Sequence, residues 1–171
     1  SDVSLQRLVA FGLGPLVKAA FDEIFRSPYI SRVMVTELDP SDTLETFYTV
    51  DADGTFTSSA NAAVVSDTAD NAEVILQRLR EGDDRDGSLD AALARALDAW
   101  AEGRAHAGRE QVEEVEEAGE PVTEQERGAA VRAALDAGRI EVAVLDRTLP
   151  TKTKFRLLTE ADLEGALAAF R

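Results

Sequence analysis

Between Leu44 and Val65 the sequence doubles back on itself: LETFYTV, then DADG, then TFTSSANAAVV. Glycine tolerates the positive φ of a tight turn, so DADG between two stretches of strand character reads as an antiparallel hairpin. The preceding stretch from Tyr29 to Leu38, YISRVMVTEL, alternates and carries β-branched Ile30, Val33 and Val35, so it reads as one more strand. Three strands in succession form an antiparallel meander. Helical patterns follow as a block, not in alternation with strands, and that order places the chain among α+β folds with an antiparallel sheet and flanking helices.

Asp2 to Arg26 reads as a long helix capped by Asp2 or Ser4, with Lys18, Asp22 and Arg26 as a charged stripe at four-residue spacing. Its other positions are nearly all apolar, so it needs cover on more than one side. Gly12, Gly14 and Pro15 predict a weak or kinked middle turn, and Pro28 ends the helix. Ser66 to Thr68 can cap a helix running to Glu81, with Ala72, Ile75, Leu76 and Leu79 on one face. After the polar loop Gly82–Gly87, Ser88 can cap a second helix to Ala105 along a stripe of Leu89, Leu93, Leu97 and Trp100. Thr123 and Glu126 fit a capping box for a helix to Ala137, and Gly138 suits its C-cap. The stretch Ile140 to Leu158, IEVAVLDRTLPTKTKFRLL, reads as a strand, a proline-containing turn and a basic strand near Lys154–Leu158. Thr159 to Asp162 then caps a closing helix with Leu163, Ala166, Leu167 and Phe170 inward. The expected order is α-βββ-αα-α-ββ-α in one domain over residues 1–171. The meander and the closing hairpin are expected to share one layered sheet.

The chain has 171 residues, 44% of them hydrophobic, enough for one core. Its 33 acidic against 18 basic residues leave a net charge of −15, which repels phosphate backbones and anionic lipid and argues against nucleic acid and membrane as partners. The longest uncharged apolar run, Leu8 to Val17, is too short to span a bilayer. With no cysteine, disulfides and thiolate metal sites are excluded and an intracellular, cytoplasmic setting is expected. The chain opens on Ser1 in place of Met, which reads as a start either processed or cut in preparing the chain. From Arg109 to Arg127 there are eight Glu against two Arg, part of an acidic excursion at about 108–138. This run reads as a solvated face, with docking of a basic partner as its alternative.

Candidate chemistry is thin. Asp51 and Asp53 before Gly54 resemble the start of a calcium loop, but the first and last ligand positions would be Thr49 and Ala60, so the hairpin turn is the reading kept. His106 is the single histidine, and zinc would need three carboxylates beside it. It reads as a helix-end or solvated histidine. There is no G-x-S-x-G elbow and no Gly-rich phosphate loop. Ser1 is a candidate for an N-terminal nucleophile, but it precedes a helix where that chemistry needs the start of a strand beside a lysine. Arg147, Lys152, Lys154 and Arg156 form a basic stretch that either receives an acidic partner or guards a sheet edge. No catalytic, cofactor-binding or metal-ligating residue is assigned, and no cofactor is expected.

Read together, EVAVLDR, Pro150, KFRLLT and the closing helix resemble the end of proteasome α-type subunits, particularly the actinobacterial ones. DVSLQRL resembles the opening of that family's long central helix, SPYISRVMVTEL its next strand, FYTVDADGTF its Tyr-x-x-x-Tyr-Asp-Gly-Ser hairpin and SLDAALARALDAW the second of its paired helices. The resemblance covers nearly all of this chain and about the last two thirds of a family member. It departs in lacking what precedes the central helix, including the gating segment and the lysine-lined activator pocket. It also has VVSDTADNA where the family has a glycine-containing turn, and a longer, more acidic 108–138 segment.

The resemblance implies the N-terminal nucleophile hydrolase fold, here a partial αββα sandwich. It also implies a non-catalytic subunit of the rings that stack on the catalytic β rings and control substrate entry in protein degradation. Implied partners are β-type subunits, other α-type copies in a homo-oligomer, and a ring ATPase. Two alternatives stand beside it: a divergent hydrolase using Ser1, and a free-standing acidic interaction module of the same fold.

Overall fold

The computed structural model describes residues 4–23, 29–38, 46–81, 87–110 and 121–170. It is a mixed α and β structure with antiparallel sheets and flanking helices. Where the sequence reads as one domain, the chain divides into two compact units, Ser1–Val65 and Ser66–Arg171. Each is described by itself.

The first unit opens with α1 (Leu5–Leu8), a π turn (Val9–Leu13) and α2 (Gly14–Phe21), continuous along the chain. Ser4 accepts from the N–H of Arg7 and starts α1, while Asp2, the alternative cap, lies outside the described residues. The weak turn expected near Gly12, Gly14 and Pro15 is this π turn, in which the N–H of Gly14 donates to the carbonyl of Val9. Proline lacks an N–H and crowds the carbonyl four residues back, here that of Phe11, so a widened turn ahead of Pro15 relieves the conflict. Lys18 and Asp22 pair at 2.8 Å as the charged stripe requires; Arg26 lies outside the described residues.

Strands β1 (Val33–Glu37), β2 (Thr46–Val50) and β3 (Phe56–Ala60) form the expected antiparallel meander in the order β1-β2-β3. Strands β1 and β3 are shorter than their sequence patterns, and the expected start of β2 at Leu44 lies outside the described residues. Asn61, at φ 68, ends β3 in the left-handed region that asparagine tolerates. The register sets Val35 opposite Tyr48 and Val33 opposite Val50, so these side chains share one face of the pleat. On that face Leu5, Val9 and Val50 are buried, with Leu13, Val17, Val35 and Tyr48 packed around them. Gly54 (φ +81) brings the β2–β3 turn so close to the helix that a Cβ on it would stand 2.5 Å from the carbonyl oxygen of Gly14. A Cβ on Gly14 would in turn lie 2.9 Å from the oxygen of Gly54. Each glycine makes room for the other.

The second unit is built on α4 (Leu89–Glu110), against which α3 (Ala69–Glu81), α5 (Glu124–Asp136) and α6 (Glu160–Leu167) all pack. A short 3₁₀ turn, Ala168–Phe170, follows α6. The caps stand where the sequence places them: Thr68 and Ser88 accept from the N–H groups of Asn71 and Ala91. Thr123 and Glu126 close a capping box, Thr159 and Asp162 a second, and Gly138 at φ +61 ends α5. Helix α4 runs past Ala105 to Glu110, so Gly108 and Arg109 are helical and do not open the acidic excursion.

Two expectations are corrected. The buried stripe of α4 is Leu93, Leu97 and Ala101, while Leu89 and Trp100 are exposed. The side facing α3 demands small residues: a Cβ on Gly103 would fall 2.3 Å from Cγ1 of Ile75. Second, β4 (Ala143–Leu145) and β5 (Phe155–Leu157) form their own two-stranded sheet and do not extend the meander. The hairpin's inward residues Val142 and Leu158 join the core of Leu93, Leu163 and Ala166, while its two short strands find their hydrogen-bond partners in each other.

Candidate functional site

The most built polar feature lies in the second unit, where three helices meet around one carboxylate. Asp98 of α4 accepts from Nε of Arg78 on α3 and from Nε of Arg127 on α5, each at 2.7 Å. Arg127 also donates to Glu102 at 3.0 Å and to the carbonyl of Val122 at 2.7 Å, with its side chain only 12% exposed. An open groove of about 980 Å³ runs beside this cluster, lined among others by Arg95, Glu124, Arg132 and Phe170. Among the described residues its lining includes no Ser, Thr, Tyr or His. Both oxygens of Asp98 accept from guanidinium groups, so this carboxylate clamps three helices together. Sequence reading missed it. Asp98 and Glu102 one turn apart beside an apolar stripe were the available signal, but their arginine partners come from other elements.

Residues singled out in the sequence are used locally. Asp51 pairs with Arg32, and Asp53 accepts from both the N–H and the hydroxyl of Thr55, at 2.9 and 2.7 Å. Those bonds from Thr55 hold the Asp53 carboxyl below its ordinary range. Asp146 repeats the device in the second hairpin with Thr148, at 2.9 and 2.6 Å. Of the basic stretch, Lys154 turns back onto the carbonyls of Arg147 and Leu149 and stabilises its own turn. Arg156 stands 4.0 Å from Asp146 and 3.7 Å from Asp162; Lys152 is exposed. His106 is half-buried one turn before the end of α4. Among the described residues, no three or more of His, Cys, Asp and Glu converge as a metal site would require. Ser1 and most of the Glu-rich run, residues 111–120, lie outside the described residues.

Among the described residues, Glu126 carries a large electrostatic effect. Arg109 donates to both its oxygens, at 2.7 and 2.9 Å, and Thr123 donates from its N–H and hydroxyl. The guanidinium first, then the Thr123 bonds, hold its carboxyl down at about 2. It ties the start of α5 to the end of α4.

The remaining surface feature is apolar. Phe11 and Leu16 on the first helix are 79% and 69% exposed, on the side away from its buried residues. The meander's face opposite the helix carries Met34 and Phe47, and the hairpin's outer face carries Phe155 and Leu157 at 51% and 65% exposure. Scattered exposed apolar residues are ordinary, but residues sharing one face of an element mark a surface for covering. Among the described residues no helix is long and apolar enough to cross a membrane. No protein-family model matches the chain, and no curated protein or solved structure matches it either.

Proposed function

We propose that this chain is a non-catalytic structural subunit of a proteasome-type particle, of the α-ring kind that stacks on catalytic rings and controls substrate entry. The carrying observation is one-sided layering: each sheet is packed on one face and leaves apolar side chains on the other. In a partial αββα sandwich every β layer has helices on one side only, and each of the two antiparallel sheets, taken by itself, is in keeping with such a layer. The element order also agrees with the order of the stretches that resemble the α-type family. Its work is association, with β-type subunits and other α-type copies as partners, a ring ATPase docking on the assembled particle, and the cytoplasm as its setting.

Native mass spectrometry of the chain mixed with β-type subunits tests this, and a stacked complex is the expected result. A folded chain that stays apart from them would be a free-standing acidic module. Peptide hydrolysis that disappears in Ser1→Ala would make it a hydrolase and overturn the reading.

A further inference from the structure

We infer that the first helix is a self-association surface, on which a second copy of this chain packs antiparallel about the point between Leu13 and Gly14. This goes beyond the ring reading and holds equally for a free-standing module. Leu8, Phe11, Pro15, Leu16 and Ala19 recur at three- and four-residue spacing and are all exposed, while Leu5 and Val9 are buried in the first unit's core. Four of the five are symmetric by position: antiparallel pairing sets Phe11 against Leu16 and Leu8 against Ala19 of the second copy, with Pro15 against the half-buried Gly12. Large side chains thus meet small ones at the ends of the contact, and a two-fold axis makes every such contact twice.

The charges agree with that direction. Arg7 is exposed at one end of the stripe and makes no ion pair among the described residues. Lys18 and Asp22, also exposed, pair near the other end. In an antiparallel pair, like edges meet, so Arg7 of each copy lies within a turn of the other copy's Asp22 and completes a three-charge cluster. A parallel pair would instead place Arg7 at the level of the other copy's Arg7, several turns from its Asp22. A helix about 25 Å long gives a contact smaller than a standard interface of roughly 800 Å² per partner, so the dimer is weak.

The test is a charge exchange read by sedimentation equilibrium. Arg7→Glu and Asp22→Arg, each alone, are expected to dimerise about tenfold more weakly, because two symmetric attractions become repulsions. Mixing the two variants is expected to restore wild-type association. In the mixed dimer the introduced glutamate faces the introduced arginine at one edge, and the native Arg7 faces the native Asp22 at the other. Phe11→Glu is expected to abolish association with an unchanged melting curve, because the side chain is exposed. A mixture no tighter than either variant alone, or a Phe11→Glu protein that dimerises like wild type, overturns the pairing. Neither result depends on whether β-type subunits bind.

Discussion

Gly103 and Gly108 lie on the same helix and should respond in opposite directions to the same change. A glycine within a helix costs roughly 0.5–1 kcal/mol relative to alanine, so Gly108→Ala, with nothing within 4 Å of the new Cβ, is expected to stabilise by up to that amount. At Gly103 the new methyl falls 2.3 Å from Ile75 and 2.9 Å from Oδ1 of Asn71, both on α3. Ile75 is buried, and a β-branched side chain has little freedom to rotate away. Overpacking costs about 1–3 kcal/mol, which outweighs the propensity gain, so Gly103→Ala is expected to destabilise in denaturant unfolding. Equal effects at the two sites would contradict the close crossing of α3 and α4. Asn71 shows why such a site escapes sequence reading: it is a buried polar residue inside an apolar face, placed there by a glycine 32 positions away on another helix.

Among elements, what depends on neighbours within a turn is readable and what depends on distant partners is not. Thr123 with Glu126 announces the start of α5, Gly138 its end, and DADG the first hairpin, because each rests on local backbone geometry. Asp98 instead meets arginines 20 and 29 residues away, and no local pattern specifies them. The same distinction explains the separate hairpin sheet, whose strands pair locally while Val142 and Leu158 are taken by helices. Glu126 combines both kinds of contact and gives a pH signature. Its folded carboxyl titrates at about 2 against an ordinary 4.5, so the unfolded state binds more protons between those values. The stability it contributes is complete above pH 4.5 and is lost as pH falls toward 2. Glu126→Gln should therefore unfold more easily than wild type at pH 7, and the difference should shrink through that acid window. A gap that stays constant with pH would mean the Arg109–Glu126 tie does not form.

At the scale of the whole molecule, two opposing influences decide whether copies meet. A net charge of −15 drives them apart, whereas the exposed apolar faces of the helix, the meander and the hairpin draw them together. Charge repulsion reaches roughly 30 Å at 0.01 M salt but only about 8 Å at 0.15 M, while hydrophobic burial is little affected over that range. Repulsion therefore governs at low salt and apolar contact at physiological salt, even though added salt also weakens the individual Arg7–Asp22 contact. Sedimentation velocity at both salt concentrations, with a fluorescent hydrophobic dye added in parallel, tests the need for shelter most directly. The expected result is dye binding at low salt, and at the higher salt a concentration-dependent rise in sedimentation coefficient as the dye is displaced. A single monomeric species at every concentration and both salts, with no dye bound, would show that these faces need no partner.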